Sequence, residues 1–237
     1  VLVSQWPFFR VGCDRWNVLG GLGGGEVGSG ELLGRGGAAA GVVQVDDMVA
    51  MRTLGAGWSR ELERLVSSVR SSLCICSPYI TEYGVDLVMA NLEAAVRQSV
   101  RVTLLTDLSP LNIAQGATRP QAIESLAASI PDLRIWHLPR VHAKVFVQDS
   151  QSAIVTSGNL TAGGLMRNFE YGVLISDQTM AAEIETDIQH YSALGAGVSR
   201  AAIERCSANS LRLQELYSQQ QTELREASSE LEVALTE

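Results

Sequence analysis

Lysine is almost missing from this chain. Of its 18 basic residues only Lys144 is not arginine, and it has only three histidines. Basic charge is also in deficit: 26 acidic residues leave a net charge of −8. That excludes a global positive field drawing the chain onto nucleic acid or anionic lipid, so any polyanion contact must come from a local patch. No run of 18 apolar residues occurs, and no membrane-spanning helix is expected. The four cysteines, Cys13, Cys74, Cys76 and Cys206, lack metal-ligand spacing. Cys74 and Cys76 alternate within LCIC and point to one face of a buried strand. A CxC zinc half-site there has no second half to complete it. Core thiols in a reducing compartment are the reading, with a cytoplasmic location as the expectation.

The chain is long enough for one full core plus extensions. Residues 1–54 include GGLGGGEVGSGELLGRGGAAAG, glycine-rich without turn spacing or apolar periodicity. GLGGGEVG resembles a GxGxxG loop only superficially, since no strand precedes it and no helix follows. The segment reads as a disordered extension, with folding beginning near Met48 or Met51.

Residues 55–193 read as the folded domain. SRELERLVSSVRSS, GVDLVMANLEAAVRQS and PQAIESLAASI carry apolar residues at helical spacing, and LCICSPYI, VRVTLLTD and LRIWHL are short apolar strands between them. VHAKVFVQD and SAIVTS follow as closely spaced strands, then a short helix around LTAGGLMR, the strand FEYGVLI and the helix DQTMAAEIETDIQHY. This alternation predicts an α/β fold with a mixed, largely parallel sheet flanked by helices. Residues 194–237 form a polar helical tail in which Cys206, Ser210, Leu213, Tyr217, Gln220, Leu224, Ala227, Leu231 and Ala234 keep a heptad rhythm. It reads either as a surface helix lying on its own domain or as a partner-binding coiled-coil helix.

The one lysine sits in a chemically suggestive place. In VHAKVFVQD, period-two alternation puts Val141, Ala143, Val145 and Val147 on one face of a strand and His142 and Lys144 on the other. Imidazole and ammonium then converge on one anion, and lysine suits a narrow pocket because its charge is compact. Ser157 and Asn159 fall where the next strand ends and a short helix begins, a place where free backbone N–H groups also favour an anion. Phosphate fits such a set of donors, with a histidine poised to attack.

Residues 142–159 read HAK, four residues, Asp149, six residues, then TSGN. This resembles the HxK(x4)D(x6)GSxN signature of the phospholipase D superfamily, with Thr156 standing where the pattern usually has glycine. Glu170, in NFEYG, matches a downstream acid of that family, and SPYIT is similar more loosely. The resemblance implies that His142 attacks phosphorus and forms a phosphohistidine. Lys144 and Asn159 hold the non-bridging oxygens, Glu170 accepts the second imidazole N–H, and Ser157 hydrogen-bonds the site. Asp149 lies an odd number of residues from His142, so it faces away and reads as structural. No metal or cofactor is implied.

His137 and His190 match no second motif and read as partly exposed surface residues. The resemblance therefore implies a homodimer, with the second His142 supplied across a twofold axis as general acid. The expected function is a metal-independent nuclease, with Arg119, Arg134, Arg140 and Arg167 as candidates for a local groove. No sequence-specificity module is evident, so sequence recognition would have to come from a partner, with the C-terminal helix as a candidate docking element. The alternatives are a phospholipid or small-phosphodiester hydrolase or transferase, and a catalytically silent binding subunit.

Overall fold

The computed structural model describes residues 51–235. The expected extension up to residue 50, and Cys13 with it, lies outside the described residues. The first of them, Met51–Leu54, form strand β1. These four residues, assigned to the extension, belong instead to the sheet, because their backbone pairs with the last strand segment of the domain.

The elements follow as α1 (Ser59–Ser67), β2 (Ser72–Cys76), α2 (Glu82–Asn91), α3 (Ala94–Arg97), β3 (Arg101–Thr106), α4 (Pro110–Ala114), α5 (Pro120–Ser129) and β4 (Asp132–His137). Then come β5 (Val145–Gln148), β6 (Ser152–Thr156), a π-helical turn (Gly163–Arg167), β7 (Gly172–Ile175), α6 (Gln178–Leu194), β8 (Ala196–Val198) and α7 (Arg200–Ala234). All eight strands form one sheet in the order β1-β7-β6-β5-β2-β3-β4-β8.

Helical crossovers leave β2, β3 and β4 mutually parallel. The other neighbours pair antiparallel. The parallel character expected of the sheet is thus confined to its centre. For β5–β6 the physical reason is connection length: a tight turn joins them, and only a longer crossover can bring a strand back parallel.

Alternation along the strands separates two apolar layers. Ile75, Val102, Leu104, Phe146 and Ile154 face the layer of α1, α2, α5 and α7, packing with Leu62, Val66, Val88, Ile123 and Ile203. Cys74, Cys76, Val145, Val147 and Ala153 face α6 through Ala181 and Ile188. Burial pushes the Cys76 thiol up to about 12, and the Cys74 thiol is raised as well, so both behave as core thiols.

The first half of α7 lies on α4 and α5. Ser210 of the heptad seam is buried, Leu213 packs against the core, and Gln121, Gln115 and Gln214 bridge to Ser207, Tyr217 and Ile113. Beyond Tyr217 the seam is exposed, including Leu224 and Leu231. At its start, the Arg200 guanidinium donates to the carbonyls of Ala127, Ile130 (2.7 Å) and Pro131 (2.8 Å). It thereby satisfies carbonyls that the end of α5 leaves without helical partners. Arg200→Ala should destabilise the protein by roughly 2 kcal/mol, since charged hydrogen bonds to partly buried carbonyls are lost. Urea denaturation monitored by circular dichroism would measure this, and an unchanged midpoint would contradict the clamp.

Candidate active site

The ladder of β5 begins at Val145, so His142 and Lys144 precede the strand rather than lying within it. The alternation nevertheless carries through. Val141 and Ala143 pack in the layer facing α6 with Val145 and Val147, while Lys144 shares the parity of Phe146, in the opposite layer. A backbone hydrogen bond from Thr156 N to Lys144 O (3.0 Å) extends the β5–β6 register by one step. That register lays the HAK segment beside the TSGN turn, which joins the two halves of the motif.

Lys144 is only 5% exposed. Its Nζ donates to the His142 carbonyl at 2.8 Å and lies 3.2 and 3.1 Å from the imidazole Nδ1 and Nε2. No carboxylate among the described residues forms an ion pair with it. Burial pulls its pKa below the ordinary lysine value, opposed in part by the negative charge of Glu170 and by Cys76. The His142 ring itself is exposed.

Thr156 takes the glycine position of the motif as the last residue of β6, without positive φ. Its hydroxyl donates to Tyr171 O and accepts from Gly158 N. Glycine is required nearby for another reason: a Cβ on Gly158 would stand 2.5 Å from the Trp58 ring, and one on Gly164 would stand 2.4 Å from the backbone nitrogen of Asn159. Trp58 is buried, packs against Phe146 with the rings tilted by 39°, and donates from Nε1 to Gly164 O at 2.8 Å. Leu160 N donates to Ser77 Oγ at 3.0 Å, and Thr81 N donates to Leu160 O at 3.1 Å. These contacts grip the turn that carries Asn159. The Asn159 Oδ1 is buried without a hydrogen-bond partner among the described residues.

No hydrogen bond joins Glu170 to the imidazole. The Ser157 hydroxyl donates to one Glu170 oxygen and Asn168 Nδ2 donates to the other at 3.1 Å. Ser157 Oγ in turn accepts from Tyr171 N at 3.0 Å. Both carboxylate oxygens are therefore engaged by residues on its own side of the site, and the His142 ring contacts Lys144 instead. Asn168 escaped the sequence reading, although its spacing two residues before Glu170 was available as a signal.

Asp149 faces away from His142. Asp149 and Ser150 have φ of 49° and 54°, and Gln151 N closes the turn on Gln148 O at 2.8 Å, as in a type I′ hairpin. The Asp149 carboxylate accepts from the backbone N–H groups of Arg70 (2.9 Å), Ser71 (2.8 Å) and Ser72 (2.7 Å). Burial alone would raise its pKa; these donors and the Ser71 hydroxyl outweigh it and hold the carboxyl at about 2. The motif's aspartate thus latches the β5–β6 hairpin to the entry of β2.

Of the four candidate groove arginines, Arg134 is not at the site. It pairs with Thr103, well before the strand end, and binds Asp132. With Arg101, Thr103, Trp136, Glu185 and Gln189 it lines a cleft of about 440 Å³ beside α6, on the sheet face opposite Lys144. Arg140 lies on the loop after β4, Arg119 opens α5 with its backbone N–H on Ile80 O (2.8 Å) in the loop after β2, and Arg167 precedes Asn168 in the turn leading to Glu170. None of these three guanidiniums has a carboxylate partner among the described residues. Also among the described residues, no three His, Cys, Asp or Glu side chains cluster as a metal site, and no helix is long and apolar enough to cross a membrane.

A family model described as "Cardiolipin synthase, PLD-like domain" matches residues 62–192. Cardiolipin synthase A of Pseudomonas aeruginosa is 29% identical over 126 residues, covering 53% of this chain and 25% of that protein. The chain thus matches about a quarter of the length of that curated relative. Among solved structures, the phospholipase D family member Nuc from Salmonella typhimurium aligns with a TM-score of 0.52 at 20% identity, over 62% of this chain and 96% of that one. Phosphatidylserine synthase of Haemophilus influenzae aligns with a TM-score of 0.50 at 16% identity, over 76% of this chain and 46% of that one.

Asp149→Asn should cost roughly 1–2 kcal/mol at neutral pH, the usual scale for weakened charged hydrogen bonds at a partly exposed turn. The folded-state pKa lies below the ordinary 3.8, so the carboxylate's contribution is present above that value and is lost as pH falls toward about 2. Denaturant titrations of both proteins at descending pH should show the difference narrowing over that window. A constant difference would contradict the latch.

Proposed function

The chain belongs to the phospholipase D-like domain family described by cardiolipin synthase, and from that premise we propose that it cleaves phosphodiester bonds of nucleic acid, as a homodimer, through a phosphohistidine. The observation that carries this reading is Lys144: a buried ammonium with no ion-pair partner among the described residues, held against an exposed imidazole. Such a charge is costly unless an anion completes its shell. A phosphoryl group does so while presenting phosphorus to the ring.

In this mechanism a His142 ring nitrogen attacks phosphorus and forms an N–P bond as the ester P–O bond breaks. Lys144 and the Asn159 side-chain amide bind the non-bridging oxygens, where charge builds in the transition state. The leaving oxygen takes a proton from a second imidazole. That imidazole then removes a proton from water, which attacks phosphorus and releases the histidine. Glu170 acts by fixing Ser157 and by its negative charge near Lys144.

The second imidazole needs a source. His137 ends β4, and two strands separate β4 from β5, about 14 Å at ordinary strand spacing. His190 is exposed on α6. A second copy's His142 fills the role, which places the site across a twofold interface. Nucleic acid is favoured as substrate because Arg119, Arg140 and Arg167 have no carboxylate partner among the described residues, in a chain of net charge −8. The second reading, a phospholipid substrate, draws on the cardiolipin synthase relatives and on exposed Met166, Phe169 and Tyr171 flanking Glu170.

Purified protein incubated in EDTA with labelled DNA, and separately with phosphatidylcholine vesicles, tests both. DNA cleavage is expected, with a fall of about 10³-fold or more in His142→Ala. Turnover of lipid alone would overturn the nuclease reading. Turnover of neither, by intact dimers, would favour a binding subunit.

A further inference from the structure

The turn between β4 and β5 is built around a buried carboxylate that the chemistry above leaves unused. Asp107 is 5% exposed. It accepts from Ser109 N at 2.9 Å, from the Ser109 hydroxyl, and from Arg140 N at 2.8 Å. Burial alone would raise its pKa, but these donors, with His137 nearby, outweigh it and hold it below the usual carboxylate value. His137 lies 3.9 Å from the same carboxylate and accepts Leu108 N–H on Nδ1 at 2.9 Å. A neutral His137 ring therefore carries its proton on Nε2.

Arg140 has φ of 64°, a left-handed conformation that costs a non-glycine residue about 1–2 kcal/mol. Glycine or asparagine would be the ordinary choice at such a bend. Instead an arginine stands there, with its backbone pinned by Asp107 and its exposed side chain making no hydrogen bond or ion pair with a described residue. Nothing in the turn uses the guanidinium. It lies two residues before His142, a span of at most about 7 Å of chain, at the same end of the parallel strands.

We propose that this turn is a second phosphate subsite. Resting on the nuclease reading above, Arg140 binds a backbone phosphate neighbouring the scissile one, with the Nε2–H of His137 as a further donor, so that the site selects a polynucleotide strand over an isolated phosphodiester. The bend directs the arginine; the Asp107 carboxylate keeps the bend. A planar guanidinium grips phosphate with two parallel N–H donors. Its contribution lies in substrate binding, remote from the bond that breaks.

The test is steady-state kinetics with a single-stranded oligonucleotide and with bis(4-nitrophenyl) phosphate. Arg140→Asn keeps a residue that tolerates the bend, and Arg140→Gly relaxes it, so agreement between the two isolates the guanidinium from the backbone. Both should raise KM for the oligonucleotide about tenfold with kcat unchanged, and lower the log–log salt slope by about 0.7, the value for one single-strand phosphate contact. Kinetics on the small diester should not move. Arg140→Lys should recover part of the loss, and Arg134→Asn should behave as wild type. Equal effects on both substrates, or none on the oligonucleotide while wild type cleaves it, would overturn the subsite alone. A wild-type protein that cleaves no nucleic acid would overturn the nuclease reading, and the subsite with it.

Discussion

The arrangement of the site depends on one buried ammonium. Lys144 follows the parity that carries Phe146 into the core layer, so its charge is drawn out of water just before the start of β5. Among the described residues, its hydrogen-bond partners are a carbonyl and an imidazole, with the negative charge of Glu170 acting from farther off. Arginine, wider and forked, would not fit that position as a single point charge. A chain that uses arginine everywhere else has its one lysine where compactness matters.

Holding that charge in place requires a stiff frame, and the frame comes from both sides of the hairpin. On the far end, Asp149 ties the β5–β6 turn to three successive N–H groups at the entry of β2. On the near end, Trp58 and two close-packed glycines fix the loop that carries Asn159. The antiparallel hairpin brings the halves of the motif together, and the parallel strands beside it supply loops that rim the site. Mixed sheet topology is what permits both in one domain.

Short-range periodicity was the legible part. Period two placed His142 with Lys144 and turned Asp149 away, and both relations survive although the ladder stops at Val145. Helix–strand alternation revealed the parallel centre of the sheet, whereas the antiparallel β5–β6 pairing depended on a tight turn at Asp149–Ser150 that spacing alone did not announce. Contacts distant in sequence were not legible. Glu170 was expected on the imidazole, but Asn168 and Ser157 claim it. Arg134 looked close to the site in sequence, yet strand direction puts it on another face with Asp132. Asp107, His137 and Arg140 form one cluster from three loops and strands, with no motif to mark it. The heptad rhythm of α7 concealed that its first half packs on α4 and α5 of its own domain.

The central claim is that one phosphate is shared by the His142 residues of two copies. Co-expressing differently tagged wild-type and His142→Ala chains at varied ratios, then assaying the mixed dimers, examines it directly. If nucleophile and general acid come from different protomers, activity follows the square of the wild-type fraction, and the purified mixed dimer is inactive. Activity proportional to that fraction, with a half-active mixed dimer, would contradict a shared site.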